Sequence, residues 1–175
     1  MNRLKGVLYT DEEIDRKVKE LGKQIREKYS GRNITCLCIL KGASIFFADL
    51  VRELDTNIRF DFMSVSSYGS ATSNTGAVQI LKDLEFDIEG QHLLIVEDIL
   101  DTGLTLTYIK SILSSRNPAS IEICCLFDKP SRRKTEISAE YVGFSIPDEF
   151  IVGYGMDYAE KYRNLKDVCI LELNA

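Results

Sequence analysis

No two cysteines in this chain have C-x-x-C spacing, and the single histidine, His92, lies far from them in sequence. The five cysteines, Cys36, Cys38, Cys124, Cys125 and Cys169, all fall inside apolar runs. They read as buried free thiols rather than a zinc site, which fits a reducing, cytoplasmic setting. Positive charge is also short. A formal net charge of −5 argues against a general nucleic-acid binder. No apolar run reaches the length of a membrane span, and the opening MNRLKGVLYTDEE lacks a signal-peptide core. Neither G-x-x-x-x-G-K-[ST] nor G-x-G-x-x-G occurs, which removes the two common glycine-rich nucleotide loops. There is no internal repeat, low-complexity tract or linker. The 175 residues, 45% hydrophobic and 28% charged, are expected to form one soluble globular domain over 1–175.

What the chain does have is concentrated in Leu93 to Leu106, LLIVEDILDTGLTL. Leu93 to Val96 form a short continuous apolar run, as in a buried strand of a parallel sheet. Glu97, Asp98 and Asp101 then place three carboxylates within five positions, where the strand is expected to leave the core. Thr102-Gly103-Leu104-Thr105 follows and opens a helix. Its free backbone N–H groups, two hydroxyls and the positive end of the helix dipole suit a phosphate. Gly103 would let the backbone come close to that ligand. The carboxylates suit ribose hydroxyls, hydrated magnesium or a proton in transit. The plainer alternative is an acidic loop whose threonines only cap the helix.

The rest of the chain alternates in the manner of an α/β protein. Thr10-Asp-Glu-Glu13 reads as a capping box for a helix over Asp11 to Tyr29, with Ile14, Val18, Leu21 and Ile25 on one face. Ile34 to Leu40 reads as a central strand. Lys41-Gly42-Ala43-Ser44 leads into a helix with Phe47, Leu50, Val51 and Leu54 along its apolar face. On residues alone, Gly42 could simply end the strand and Lys41 be solvated. Ile58 to Ser66 reads as a strand with Ile58, Phe60 and Phe62 on one face. Ser67 to Gly76 breaks the pattern, as a flexible hairpin or as a lid. Val78 to Leu84 returns antiparallel. The helix after the central motif buries Leu106, Ile109, Ile112 and Leu113 and ends at Asn117-Pro118. Ile121 to Phe127, Tyr141 to Ile146 and Val168 to Leu173 complete the strands. Lys129 stands at a strand end beside a basic turn, Ser131-Arg132-Arg133-Lys134. Phe150 could be core, and Asp157 with Arg163 a surface pair. The expected fold is α/β, a mostly parallel sheet flanked by helices with ligands at its carboxyl edge.

The EDILDTGLT stretch resembles the phosphoribosyl pyrophosphate motif of the type I phosphoribosyltransferases, in the branch that uses 6-oxopurines. Matching segments run from about Lys41 to Cys169. The resemblance implies transfer of a phosphoribosyl group from phosphoribosyl pyrophosphate to a ring nitrogen of hypoxanthine or guanine. It implies that Glu97 and Asp98 hold the ribose hydroxyls, partly through Mg2+, and that Asp101 is the general base. Lys41 and Gly42 match the family's short pyrophosphate loop, with a cis peptide between them. Ser67 and Tyr68 match the start of its mobile loop. Lys129 resembles the lysine that donates to the purine's exocyclic oxygen. Phe150 to Tyr158 resembles the family's base-binding hood, which implies a small hood from the C-terminal third and the N-terminus over the sheet. By that match Phe150 would stack on the base, Ile151 offer backbone groups to its edge, Asp157 bind magnesium and Arg163 hold pyrophosphate. A homodimer or homotetramer is expected. Two positions depart from some relatives, Leu104 and Glu149, each where a lysine can stand. The competing reading is a regulatory protein that keeps this fold and binds RNA or DNA. It would need a basic face, and the acidic charge and intact Asp101 speak against it.

Overall fold

A computed structural model describes residues 3–55, 57–67 and 78–173. Among them the order is β1 (Arg3–Tyr9), α1 (Asp11–Lys28), β2 (Ile34–Leu40), α2 (Ser44–Arg52), β3 (Ile58–Ser67) and β4 (Val78–Lys82). It continues with β5 (His92–Leu100), α3 (Leu104–Ser114), β6 (Ser120–Asp128), β7 (Tyr141–Ser145), β8 (Ile151–Val152) and β9 (Val168–Glu172). The expected lid lies, from Tyr68 to Gly76, outside the described residues.

Local rules set α1. Thr10 Oγ1 accepts from the Glu13 N–H at 3.3 Å, and Glu13 Oε2 accepts from the Thr10 N–H at 2.9 Å. Asp11, Glu12 and Glu13 sit in the first turn and Arg26 and Lys28 in the last, matching the helix dipole. The buried stripe is Ile14, Val18, Leu21 and Ile25, as the spacing predicts.

A six-stranded sheet, β4-β3-β2-β5-β6-β7, forms the body, parallel except for β4. Both faces of β2 and β5 are covered, which is why each reads as an unbroken apolar run. Cys36, Cys38, Leu94 and Val96 point towards α1 and α2, while Leu37, Ile39, Leu93 and Ile95 point to the α3 side. All five cysteines are buried and free. Burial pushes the Cys36 and Cys38 thiols up to about 12, so they stay protonated and inert.

Topology places the ligand crevice. From β2 the chain crosses through α2 to β3 on one side, and from β5 through α3 to β6 on the other. The β2–β5 register stops at Cys38 opposite Val96, although both strands continue. The two crossovers therefore part above this point, where open α/β sheets bind ligands. A second sheet, β1-β9-β8, is antiparallel and forms the hood. Tyr9, at the end of β1, stacks on Phe127 and Phe144 at 5.7 and 4.1 Å and ties the hood to the sheet.

Several expectations need correction. β5 does not end at Val96 but carries Glu97 and Asp98 as strand residues to Leu100, because pairing with β6 continues to Leu100 opposite Asp128. α2 buries Phe46 and stops before Leu54. Ile58, Phe60 and Phe62 do share a face, but Phe60 is half exposed, and the opposite residues Asp61 and Met63 are buried. The helix of the central motif ends at Ser114, short of Asn117-Pro118. β1 had no strand pattern in the sequence. No helix among the described residues is long and apolar enough to cross a membrane.

Candidate active site

Parallel strands bring their carboxyl ends to one edge. Lys41-Gly42 follows β2, Asp101 to Thr105 follow β5, and Lys129 follows β6. Two cavities open there. One, of about 220 Å3, is lined by Glu97 and by Asp101, Thr102, Gly103 and Thr105. The other, of about 490 Å3, is lined by Asp98, Asp101, Lys129, Phe150, Ile151 and Asp157, with Arg132 and Asp148 at its wall. Asp101 and Ile99 border both, so a ligand with a phosphate at one end and a planar ring at the other can span them.

The phosphate loop differs from its expected form. Gly103 is the N-cap of α3 with φ of +81°, a backbone that side chains avoid. A Cβ there would meet Thr135 Oγ1 at 2.5 Å and Ile137 Cγ2 at 2.6 Å. The glycine is thus required by the chain's own packing as well as by φ, rather than by ligand approach alone. Thr102 Oγ1 accepts from the Leu104 N–H at 3.4 Å, so part of the capping alternative holds. Leu104 is the first helical residue and exposed.

Glu97 and Asp98 lie side by side in the crevice. Burial, and then the charge of Asp98, push Glu97 well above the usual carboxylate range; burial also raises Asp98. The Asp98 carboxylate accepts from the Ile99 N–H at 2.7 Å. It packs so closely on the β2 loop that a Cβ on Gly42 would fall 1.8 Å from Asp98 Oδ2. The hood presses on the same loop, since a Cβ on Gly155 would fall 2.2 Å from the Gly42 carbonyl oxygen. The cis peptide is Leu40–Lys41, one bond earlier than the Lys41–Gly42 bond expected. Lys41 Nζ reaches Glu160 Oε2 at 3.1 Å.

In the hood, Asp157 pairs with Arg163 at 2.8 Å, and Arg163 Nη1 donates to the Gly155 carbonyl at 2.8 Å. Arg163 Nε is buried without an acceptor. Phe150 is 40% exposed, its ring edge-on to Tyr158 at 5.7 Å, so one aromatic surface faces the larger cavity. The Ile151 side chain is buried in β8. Lys129 is buried, and its ammonium donates to the Glu149 carbonyl at 2.5 Å. That bond is to the main chain, so the Glu149 side chain does not alter it. Burial lowers the Lys129 pKa. Ser67 ends β3, opposite Val78, while Tyr68 is outside the described residues.

Glu97, Asp98 and Asp157 were expected to share a metal. No three metal-ligating side chains are gathered into a cage among the described residues, because Asp157 sits in the hood against Arg163. The donors are nonetheless hard oxygens, one pair of them partly buried and raised. That set fits Mg2+ bound through one or two carboxylates and completed by substrate oxygens and water.

Sequence reasoning missed Arg132 and Asp148. Arg132 Nε donates to Asp101 Oδ1 at 2.8 Å, and Arg132 pairs with Asp148 at 3.5 Å. The only sign in the sequence was a basic turn, with nothing to say what it faced.

This fold and edge define a phosphoribosyltransferase, and the comparisons agree. The family model for the phosphoribosyl transferase domain matches residues 7–159. A hypoxanthine-guanine phosphoribosyltransferase of Staphylococcus aureus is 54% identical over 164 residues, covering 94% of this chain and 92% of that one. The Streptococcus thermophilus enzyme of that name is 48% identical over 169 residues, covering 97% and 94%. A solved hypoxanthine phosphoribosyltransferase from Staphylococcus aureus superposes with a TM-score of 0.93 at 52% identity, covering 97% of this chain and 92% of that one. The chain belongs to the phosphoribosyltransferase family, in its hypoxanthine-guanine branch.

Proposed function

We propose that this protein works in purine salvage, moving the phosphoribosyl group of phosphoribosyl pyrophosphate onto hypoxanthine or guanine. The products are IMP or GMP and pyrophosphate. One observation carries the reading. The crevice between β2 and β5 joins a loop of phosphate-binding type to a larger cavity containing Lys129 and the Phe150 ring. The bond between the base nitrogen and the anomeric carbon forms as the carbon–oxygen bond to pyrophosphate breaks. The carbon passes through a cationic, oxocarbenium-like state. The base gives its proton to Asp101. Glu97 and Asp98 hold the ribose hydroxyls. The 102–105 backbone and hydroxyls hold the 5′-phosphate. The Lys41-Gly42 loop and Arg163 hold the departing pyrophosphate. Phe150 stacks on the base, with Ile151 at its edge, and Ser67 and Tyr68 are assigned to substrate binding because they match the start of the family's catalytic loop. The Glu97 and Asp98 pair or Asp157, one or two carboxylates rather than all three together, would hold Mg2+, which would offset charge on the leaving group. The protein acts as a single 1–175 domain in the cytoplasm, as a homodimer or homotetramer.

The test is product formation from phosphoribosyl pyrophosphate and Mg2+ with each base supplied singly. Nucleotide is expected from hypoxanthine and guanine, and no product from either would overturn the reading. Metal-stripped protein in chelator is expected to be inactive and to recover on adding magnesium, because the substrate phosphates and the carboxylates otherwise repel. Full activity in chelator would exclude the metal.

Gly42→Ala is a second check. The added carbon must displace the Asp98 carboxylate or the loop. A displacement of this size is expected to cost kcat/KM for phosphoribosyl pyrophosphate about 10²-fold, with little change in the KM of the base. Wild-type kcat/KM would show that Asp98 need not hold this position.

A further inference from the structure

The segment after β6 wraps around the turn that carries Asp101. The Lys129 N–H donates to the Leu100 carbonyl at 3.0 Å, and the Lys134 N–H to the Thr102 carbonyl at 2.9 Å. Arg133 Nη1 donates to the Asp101 carbonyl at 3.1 Å, while its Nη2 bonds the Asp128 carboxylate. These contacts hold the main chain of the turn. None of them holds the Asp101 side chain. That contact comes from Arg132, at the end of a one-turn 3-10 helix, Pro130–Arg132, and it uses one carboxylate oxygen, Oδ1. Arg132 is itself restrained by Asp148, from the loop between β7 and β8. The guanidinium therefore bridges two walls of the larger cavity.

We propose that Arg132 is a positioning residue for the transfer reaction, holding Asp101 by Oδ1 so that Oδ2 is turned to the base. This rests on Asp101 being the proton acceptor. A carboxylate on a turn with nothing at its head samples several rotamers, and only some of them meet the base nitrogen. The charged groups around Asp101 are Arg132, Arg133, Lys129 and Asp148, and of these only Arg132 donates to the carboxylate. The pair is partly open to solvent, with side chains 45% and 37% exposed, so it adds little to folding stability. Its effect is expected in geometry. The planar Nε–H of arginine fixes direction as well as charge, which a lysine cannot reproduce in full.

The experiment is a double-mutant cycle on the full chain, read as single-turnover rate and steady-state kcat and KM. Arg132→Ala is expected to lower kcat by about 10–10²-fold, with little change in KM for phosphoribosyl pyrophosphate and an unchanged melting temperature. Arg132→Lys is expected to recover part of the loss, and it keeps the test available if the alanine variant folds poorly. In an Asp101→Asn background, Arg132→Ala is expected to cost nothing further, because its effect runs through that carboxylate. Equal losses in both backgrounds would overturn the proposal. So would an unchanged or raised kcat in Arg132→Ala, the latter being the mark of a residue that obstructs Asp101. If Asp101→Asn alone keeps wild-type chemistry, the acceptor reading itself fails and this proposal falls with it.

Discussion

Asp101→Asn is expected to lower turnover by about 10²–10⁴-fold, with a much smaller change in binding of phosphoribosyl pyrophosphate. The substitution keeps the shape of the side chain. An asparagine carbonyl can still accept from Arg132 Nε, and the main chain at 101 remains tied by Arg133. What disappears is the ability to take a proton. Asp101 is well placed for that loss to matter, since it borders both cavities at the point where base and ribose must meet. Glu97 and Asp98 cannot substitute. They lie on β5 itself, deeper in the crevice, and Asp98 is packed against Gly42. The measurement is single-turnover product formation, which isolates chemistry from product release. Near wild-type rates there would remove Asp101 from the role of general base.

The second large effect concerns the base. Lys129 is buried, with one of its three N–H donors spent on the Glu149 carbonyl. A 6-oxopurine offers an oxygen to the remaining donors. Adenine presents an amino group, so two donors would face each other in a desolvated pocket. A site built on such a bond discriminates by about 10⁴-fold or more, beyond what shape alone provides. Strong use of hypoxanthine and guanine and almost none of adenine is therefore expected at saturating phosphoribosyl pyrophosphate. Lys129→Ala is expected to lose the preferred bases while leaving affinity for phosphoribosyl pyrophosphate nearly intact. There is a pH consequence. Burial lowers the Lys129 pKa, favouring the neutral amine, which can accept a hydrogen bond from adenine. Discrimination is thus expected to be full while the ammonium persists and to shrink as alkaline pH removes its proton. Adenine turnover within about tenfold of hypoxanthine, ~1.4 kcal/mol, at neutral pH would remove both the role of Lys129 and the placement in the 6-oxopurine branch.

Some of this was written locally in the sequence. The α1 capping box needs only residues three apart, and it forms as read. β2 and the start of β5 are legible because both of their faces are covered, which leaves no polar alternation to misread. The residue types of the β5–α3 junction, acidic then Gly and Thr, pointed to the ligand edge before any packing was known.

Tertiary structure decided the rest, because the causes lie far apart in the chain. β1 is mostly exposed and carries no pattern; it is a strand only because β9 pairs with it across the whole length of the chain. Glu97 and Asp98 stay in β5 because β6 continues alongside, which polar residues alone argue against. The crevice exists because the crossovers from β2 and β5 leave in opposite directions, a property of strand order. Arg132 reads as one more charge in a basic turn until folding lays that turn over Asp101. A sequence carries chemistry wherever the contact is local or the burial two-sided. Which charges meet across distant segments is set only when the sheet and hood assemble, because that pairing depends on register and crossing direction rather than on residue type.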